Sequence, residues 1–214
     1  MIYKPKTLVT NILKSAGTLL LLLTTCVNCF SQNHEHEIAE FIKHYKEDFL
    51  KNKNSPLKKD DLKYLRFYDA DSTYKVEAKV ELVNNGSIFT IPAISGGGSE
   101  YSKYALLSFS INEKTLTLEV YRNAALARMP QYADYLFLPF TDQTNGKETY
   151  ANGRYIDLRE GDLKNGRIVI DFNKAYNPYC AFSSGYACPR PPQANNLQVE
   201  IKAGEKNFAK ENVH

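Results

Sequence analysis

Tyr74-Lys75-Val76-Glu77-Ala78-Lys79-Val80-Glu81-Leu82-Val83 is the stretch that decides the fold. Val76, Ala78, Val80 and Leu82 alternate with Lys75, Glu77, Lys79 and Glu81. A period of two sends successive side chains to opposite faces of a strand, so one face meets a core and the other meets water. Asn84-Asn85-Gly86-Ser87 follows, and Asn-Gly accepts the positive φ of a tight turn, which leads into Ile88 to Ile91. Ser95-Gly96-Gly97-Gly98-Ser99 reads as a flexible loop, because it lacks the Gly-Lys-Ser/Thr ending and the following helix of a phosphate-binding loop. Tyr104 to Ile111 and Leu116 to Tyr121 form an expected hairpin across Asn112-Glu113-Lys114-Thr115.

Outward from this centre the pattern continues. Arg122 to Tyr135 reads as a short helix or an irregular loop. Leu136 to Phe140, Thr149 to Tyr150, Tyr155 to Leu158, Arg167 to Phe172 and Gln198 to Lys202 are short strand candidates. Turn signals at Asn145-Gly146, Asn152-Gly153, Glu160-Gly161 and Asn165-Gly166 separate most of them. Upstream, Ile38, Phe41, Ile42, Tyr45 and Phe49 recur at spacings of three and four, which predicts an amphipathic helix over His34 to Lys51. Asn52 to Asp61, with Pro56, is a polar connector. The fold class expected is mainly β (α+β): an antiparallel barrel or sandwich with one N-terminal amphipathic helix packed on it, in one domain over residues 32–214. The 15 Tyr and 11 Phe suit such half-buried pleated surfaces.

Residues 1–31 read as a signal peptide. Lys4, Lys6 and Lys14 precede the run Leu19 to Leu23, and small residues follow. The apolar run is too short for a permanent membrane span. Export to a periplasmic or extracellular location is expected, either by cleavage after Ser31 or with a lipid anchor on Cys26 or Cys29. Neither Cys follows Gly, Ala or Ser, so simple secretion fits better, and a membrane is met only through such an anchor. The net charge of +3 comes from the three leader lysines; without them 24 basic residues balance 24 acidic ones. A neutral chain without a basic block has little to set against phosphates, which argues against a nucleic-acid partner.

Candidate chemistry is sparse. The four histidines, His34, His36, His44 and His214, all lie outside the strand-rich region. A Ser-His or Cys-His pair needs an imidazole against the nucleophile, and a catalytic zinc needs two or three, so both chemistries are disfavoured. Cys180 and Cys188 are the only cysteines outside the leader, and in an oxidising compartment they read as a disulfide. No further ligands accompany them, so no metal and no cofactor is expected. Asp142, Glu148, Asp157 and Asp171 sit near strand ends and turns, where paired carboxylates could run glycoside hydrolysis or simply bond turn amides. Arg154, flanked by Tyr150 and Tyr155, could clamp an anionic or polar group with its fork, or pair structurally with Glu148 or Asp157. Tyr176, Asn177 and Tyr179 could wall the same pocket.

Several strings in the C-terminal half are distinctive. Leu138-Pro139-Phe140-Thr141-Asp142 precedes Gly146-Lys147-Glu148-Thr149-Tyr150 and Gly153-Arg154-Tyr155-Ile156-Asp157-Leu158. Asp171-Phe172-Asn173-Lys174-Ala175-Tyr176-Asn177-Pro178-Tyr179-Cys180 and Cys188-Pro189-Arg190-Pro191-Pro192 come later. This set resembles the bacterial family called domain of unknown function 1684, over roughly residues 37–209, with 173–180 the most specific run. Ala151-Asn152 replaces part of the Gly-rich stretch that the family usually carries before the Arg-Tyr pair. The resemblance implies one domain and brings no activity, cofactor or catalytic residue with it. Three functions then compete. One is a module binding a small polar or anionic ligand through Arg154, Tyr150, Tyr155, Asp142, Glu148, Asn177 and Tyr179; the others are a carboxylate hydrolase and a structural envelope protein. Whether the chain is an enzyme, and in what oligomeric state it works, is open at this level.

Overall fold

The structure is a computed structural model that describes residues 32–84 and 86–210. The expected leader, with its candidate lipid cysteines, and Asn85 of the first turn lie outside the described residues. A helix, α1, runs over residues 32–51. Seven antiparallel strands follow: β1 (Lys75–Leu82), β2 (Ile88–Pro92), β3 (Gly98–Ile111), β4 (Lys114–Asn123), β5 (Tyr135–Phe140), β6 (Arg154–Arg159) and β7 (Arg167–Asp171). They form one sheet in the order β6-β5-β4-β3-β1-β7, with β2 also on β3. The sheet curls into a half-barrel, and α1 is the helix of the α+β fold.

The alternation in β1 is realised as far as Val80, whereas Leu82, expected on the core face, is exposed at the end of the strand. Ala78 is fully buried, Val76 and Val80 are half-buried, and the four charged residues that alternate with them, Lys75, Glu77, Lys79 and Glu81, are exposed. β1 lies between β3 and β7, which places Val80 opposite Leu107 and Val76 opposite Ile170. The concave face fills with Leu107, Phe109, Leu118, Leu136, Leu138, Ile156, Leu158 and Ile168. β3 is 14 residues long, and both β1 and β2 pair with it, β2 along Gly98–Ser102 and β1 along Ala105–Ser108. A register shift between Lys103 and Ala105 falls at the junction, and such a bulge bends a strand and adds twist.

The β3–β4 turn is tighter than the four residues expected. Asn112 and Glu113 alone make it, with φ of 49° and 64°. Those angles match the right-handed twist of a two-residue hairpin. Over 122–135 two short 3-10 turns, Leu126–Arg128 and Pro130–Tyr132, replace the undecided helix or loop.

Two expected strands do not form. Thr149 makes only an isolated bridge with Asn145. Residues 198–202 join no ladder. Their backbone is satisfied by side chains and single contacts instead: Ile201 N–H donates to Asp142 Oδ1 (3.2 Å), and Ile201 O accepts from Arg154 Nη2 (2.9 Å). Period-two apolar pattern does not distinguish a strand from an extended segment bonded in this way.

Candidate functional site

β6 is an edge strand, and alternation sorts its residues. Arg154, Ile156 and Leu158 face the core, while Tyr155 and Asp157 face the other way. Arg154 is therefore fully buried. Its Nη2 donates to Asp142 Oδ2 at 2.8 Å, and Nη1 donates to the carbonyls of Ala203 and Glu205. Its guanidinium also lies over the Phe140 ring at 5.3 Å. Asp142 binds in turn to Thr144 N–H and Thr144 Oγ1 (2.8 and 2.6 Å). The clamp expected at Arg154 is replaced by a structural ion pair, and its partner is Asp142 rather than Glu148 or Asp157.

The other expected site residues disperse. Tyr155 Oη donates to Pro189 O, on the face opposite Arg154. Tyr150 accepts from Asn152 Nδ2 at 3.1 Å and packs with Phe49 and Phe182. Glu148 is exposed, 3.7 Å from Lys202. Asn177 Nδ2 donates to Lys206 O (2.8 Å) and Asn177 N–H to Glu205 Oε2 (2.7 Å). Cys180 and Cys188 lie at disulfide distance, with Cα atoms 6.2 Å apart. Among the candidate ligand-binding residues, Tyr179 lines the cleft described next.

The cleft has a volume of about 920 Å³ and lies where α1 crosses the seam between edge strands β6 and β7. That size is typical of a small-molecule site. Phe41, Tyr45 and Phe49 of α1, Tyr176 and Tyr179 of the loop after β7, and Ile156 and Leu158 of β6 give it an apolar and aromatic wall. The run 173–180 builds one side. Tyr155 and Tyr176 exchange backbone bonds (2.9 and 3.0 Å), which lays the run along β6. Asn173 ties it to residue 71, accepting from Asp71 N–H and donating to Asp71 O. Asn52 at the end of α1 donates to Tyr179 Oη at 3.2 Å.

Asp157 faces this space. Tyr135 and Tyr176 both donate to its Oδ1, each at 2.7 Å. No donor among the described residues reaches Oδ2. Asp157 is exposed on the cleft side, while protein crowds the remaining sides. That crowding pushes its carboxyl above the ordinary Asp value, opposed by the two phenols and by Arg159. Burial and the neighbouring carboxylate raise both phenols, so they stay protonated donors. At the other end, Lys174 and Lys75 both donate to Glu37 (2.6 and 2.7 Å), which holds its carboxyl down to about 2. Asp171 lines the same end; its Oδ1 caps Asn173 N–H at 3.0 Å, and its Oδ2 is 3.6 Å from His34 Nε2. His44 reaches the rim and is exposed, as expected from its place off the apolar stripe.

Below the wall, Tyr45 Oη donates to Glu205 Oε2 at 2.9 Å. Glu205 is fully buried, and burial pushes its carboxyl up to about 8. Gly204 precedes it with φ of 77°, and a Cβ there would meet Ala175 O at 2.6 Å, so this close approach requires glycine.

Residues 60–206 match the family described as protein of unknown function DUF1684. The chain belongs to the DUF1684 family. The match includes every strand, the 173–180 run and Asp157, and leaves out α1. This DUF1684 chain is also similar to a solved structure, the solution NMR structure of an uncharacterised protein from gene locus rrnAC0354 of Haloarcula marismortui. The two share 30% identity over 82% of this chain and 95% of that one, with a TM-score of 0.63. No curated protein matches the DUF1684 chain.

Proposed function

We propose that this protein binds a small ligand in the cleft between α1 and the β6–β7 seam. The observation that carries this reading is an aromatic-walled cleft of about 920 Å³ lined by a carboxylate, Asp157, that has one oxygen held by two phenols and the other open. Binding sites combine an apolar wall with a few polar groups of perturbed acidity, and this arrangement has both. The ligand is polar at one end. Arg154 is not available to an anion, and two of the cleft lysines, Lys75 and Lys174, are engaged by Glu37.

The hydrolase reading has less support. Of its four carboxylates, Asp142 is in the core ion pair, Glu148 lies off the cleft, and Asp171 caps the turn beside His34. Asp157 and Asp171 are the two of the four that line the cleft, and Asp171 is turned to Asn173 and His34. The envelope-assembly reading expected no pocket; the exposed Leu82, Ile88 and Phe89 near the outer end of β2 are its remaining support.

Export is part of the proposal. The leader-like residues 1–31 and the pairing of Cys180 with Cys188 both fit an oxidising compartment. Intact-mass measurement of the protein from its producing cells checks it, with loss of the leader and no free thiols expected.

The binding reading is tested by releasing small molecules from natively purified protein and adding them back to Gly161→Trp. The chain has no Trp, Gly161 lines the cleft, and a Cβ there meets nothing within 4 Å. A saturable change in Trp emission is expected. Nothing released, or no emission change, would count against the reading.

A further inference from the structure

The geometry points to an organic cation as the ligand class of this cleft: a protonated amine carried on an apolar body. This inference rests on the cleft reading above and adds the sign of the ligand's charge. Two independent features support it. The first is the aromatic wall. Tyr45 lies 5.0 Å from Phe49 and 6.0 Å from Tyr176 between ring centroids, and Phe49 lies 5.7 Å from Tyr179. With Phe41 these rings all line one cavity. The negative faces of grouped rings attract a cation that has lost part of its water, and an aromatic cage is a recurring solution for ammonium groups.

The second feature is the carboxylate. Tyr135 and Tyr176 occupy Oδ1 of Asp157 and fix its plane, leaving Oδ2 without a donor among the described residues. Asp157 is exposed, so Oδ2 is open to solvent. A carboxylate only accepts hydrogen bonds, so a ligand group that takes the place of water there is a donor, and a charged donor fits best. Arg159, the nearest guanidinium in sequence, is drawn off to Asp134 at 2.7 Å. The cations that line the cleft do not reverse this sign. Lys75 and Lys174 converge on Glu37, and the lining carboxylates, Glu37, Asp48, Asp157, Asp162 and Asp171, outnumber the lysines Lys75, Lys164 and Lys174. A ligand anion at Lys75 or Lys174 would have to displace Glu37 from two short ion pairs. A ligand cation at Asp157 displaces only water.

The test uses three probes of one shape, 4-phenylbutylamine, 4-phenylbutanol and 4-phenylbutyrate, titrated into purified protein and followed by amide NMR shifts. The amine is expected to bind about tenfold more tightly than the alcohol, and more tightly still than the acid, with shifts on β6 and on residues of α1. Asp157→Asn keeps an oxygen for both phenols. It should abolish the amine's advantage while leaving the alcohol's affinity within about twofold. If the alcohol or the acid matches the amine on the native protein, the cation inference is overturned and the cleft reading stands. An amine preference that survives in Asp157→Asn overturns the role of Asp157. If none of the three shifts a cleft resonance, both readings fall together.

Discussion

Arg154 and Asp142 hold the chain's central ion pair, and its burial makes it sensitive in one direction. Asp142→Ala would leave a guanidinium without its carboxylate in the core and would also remove the acceptor for Thr144 and Ile201 amides. A loss of about 3–5 kcal/mol is expected, measured by urea unfolding. Glu205 makes a prediction with pH. Its folded value of about 8 lies above the ordinary 4.5, so the folded state holds a proton that the unfolded state has released. The stabilising effect is full below about pH 4.5 and is lost as pH rises through about 8, at up to about 1.4 kcal/mol per pH unit. Asp157 is shifted in the same direction and adds to the slope at its acid end; Glu37, held down to about 2, acts below that window with the opposite sign. Thermal unfolding between pH 5 and 8.5 should show a falling midpoint in the native protein and a flatter profile in Glu205→Gln. Adjacency in sequence misleads at this scale: Arg154 and Tyr155 are neighbours along the chain, yet adjacent strand residues point to opposite faces. The same alternation separates Arg154 from Asp157, three positions on, and would have excluded their pairing.

Elements were the most legible level. The period-two runs located β1, β4, β5, β6 and β7 to within about two residues, and the period-3.6 stripe located α1, because burial on one face leaves a direct imprint on residue type. β3 is longer than expected because Gly98 to Lys103 pair with β2 and β4 despite their weak apolar pattern. The segment 198–202 failed for the converse reason: its apolar residues are buried, but a side-chain network takes the place of a partner strand. At the β3–β4 turn, Glu113 sits at φ 64° without being glycine. Glu113→Gly removes that local cost and should raise stability by about 0.5–1 kcal/mol in thermal unfolding, since left-handed backbone disfavours side chains with a Cβ.

At the scale of the whole molecule, what stays hidden in a single sequence is where separated elements meet. The helix was legible; its landing across the β6–β7 seam was not, because the apolar stripe of Ile38, Tyr45 and Phe49 says that α1 packs but not against what. For the same reason Tyr135, which precedes Asp157 by 22 positions, could not be joined to it by spacing alone. The seam exists because the half-barrel does not close: β6 and β7 end the sheet, and α1 with the 173–180 run covers the gap without filling it. That incomplete closure is the origin of the proposed site. It is tested most directly by a crystal structure of the protein isolated from its producing cells near neutral pH. The account predicts non-protein density between Phe41 and Tyr176, with an atom in hydrogen-bond contact with Asp157 Oδ2. A cleft collapsed by α1 packing onto β6, with Asp157 turned to bulk water, would contradict it.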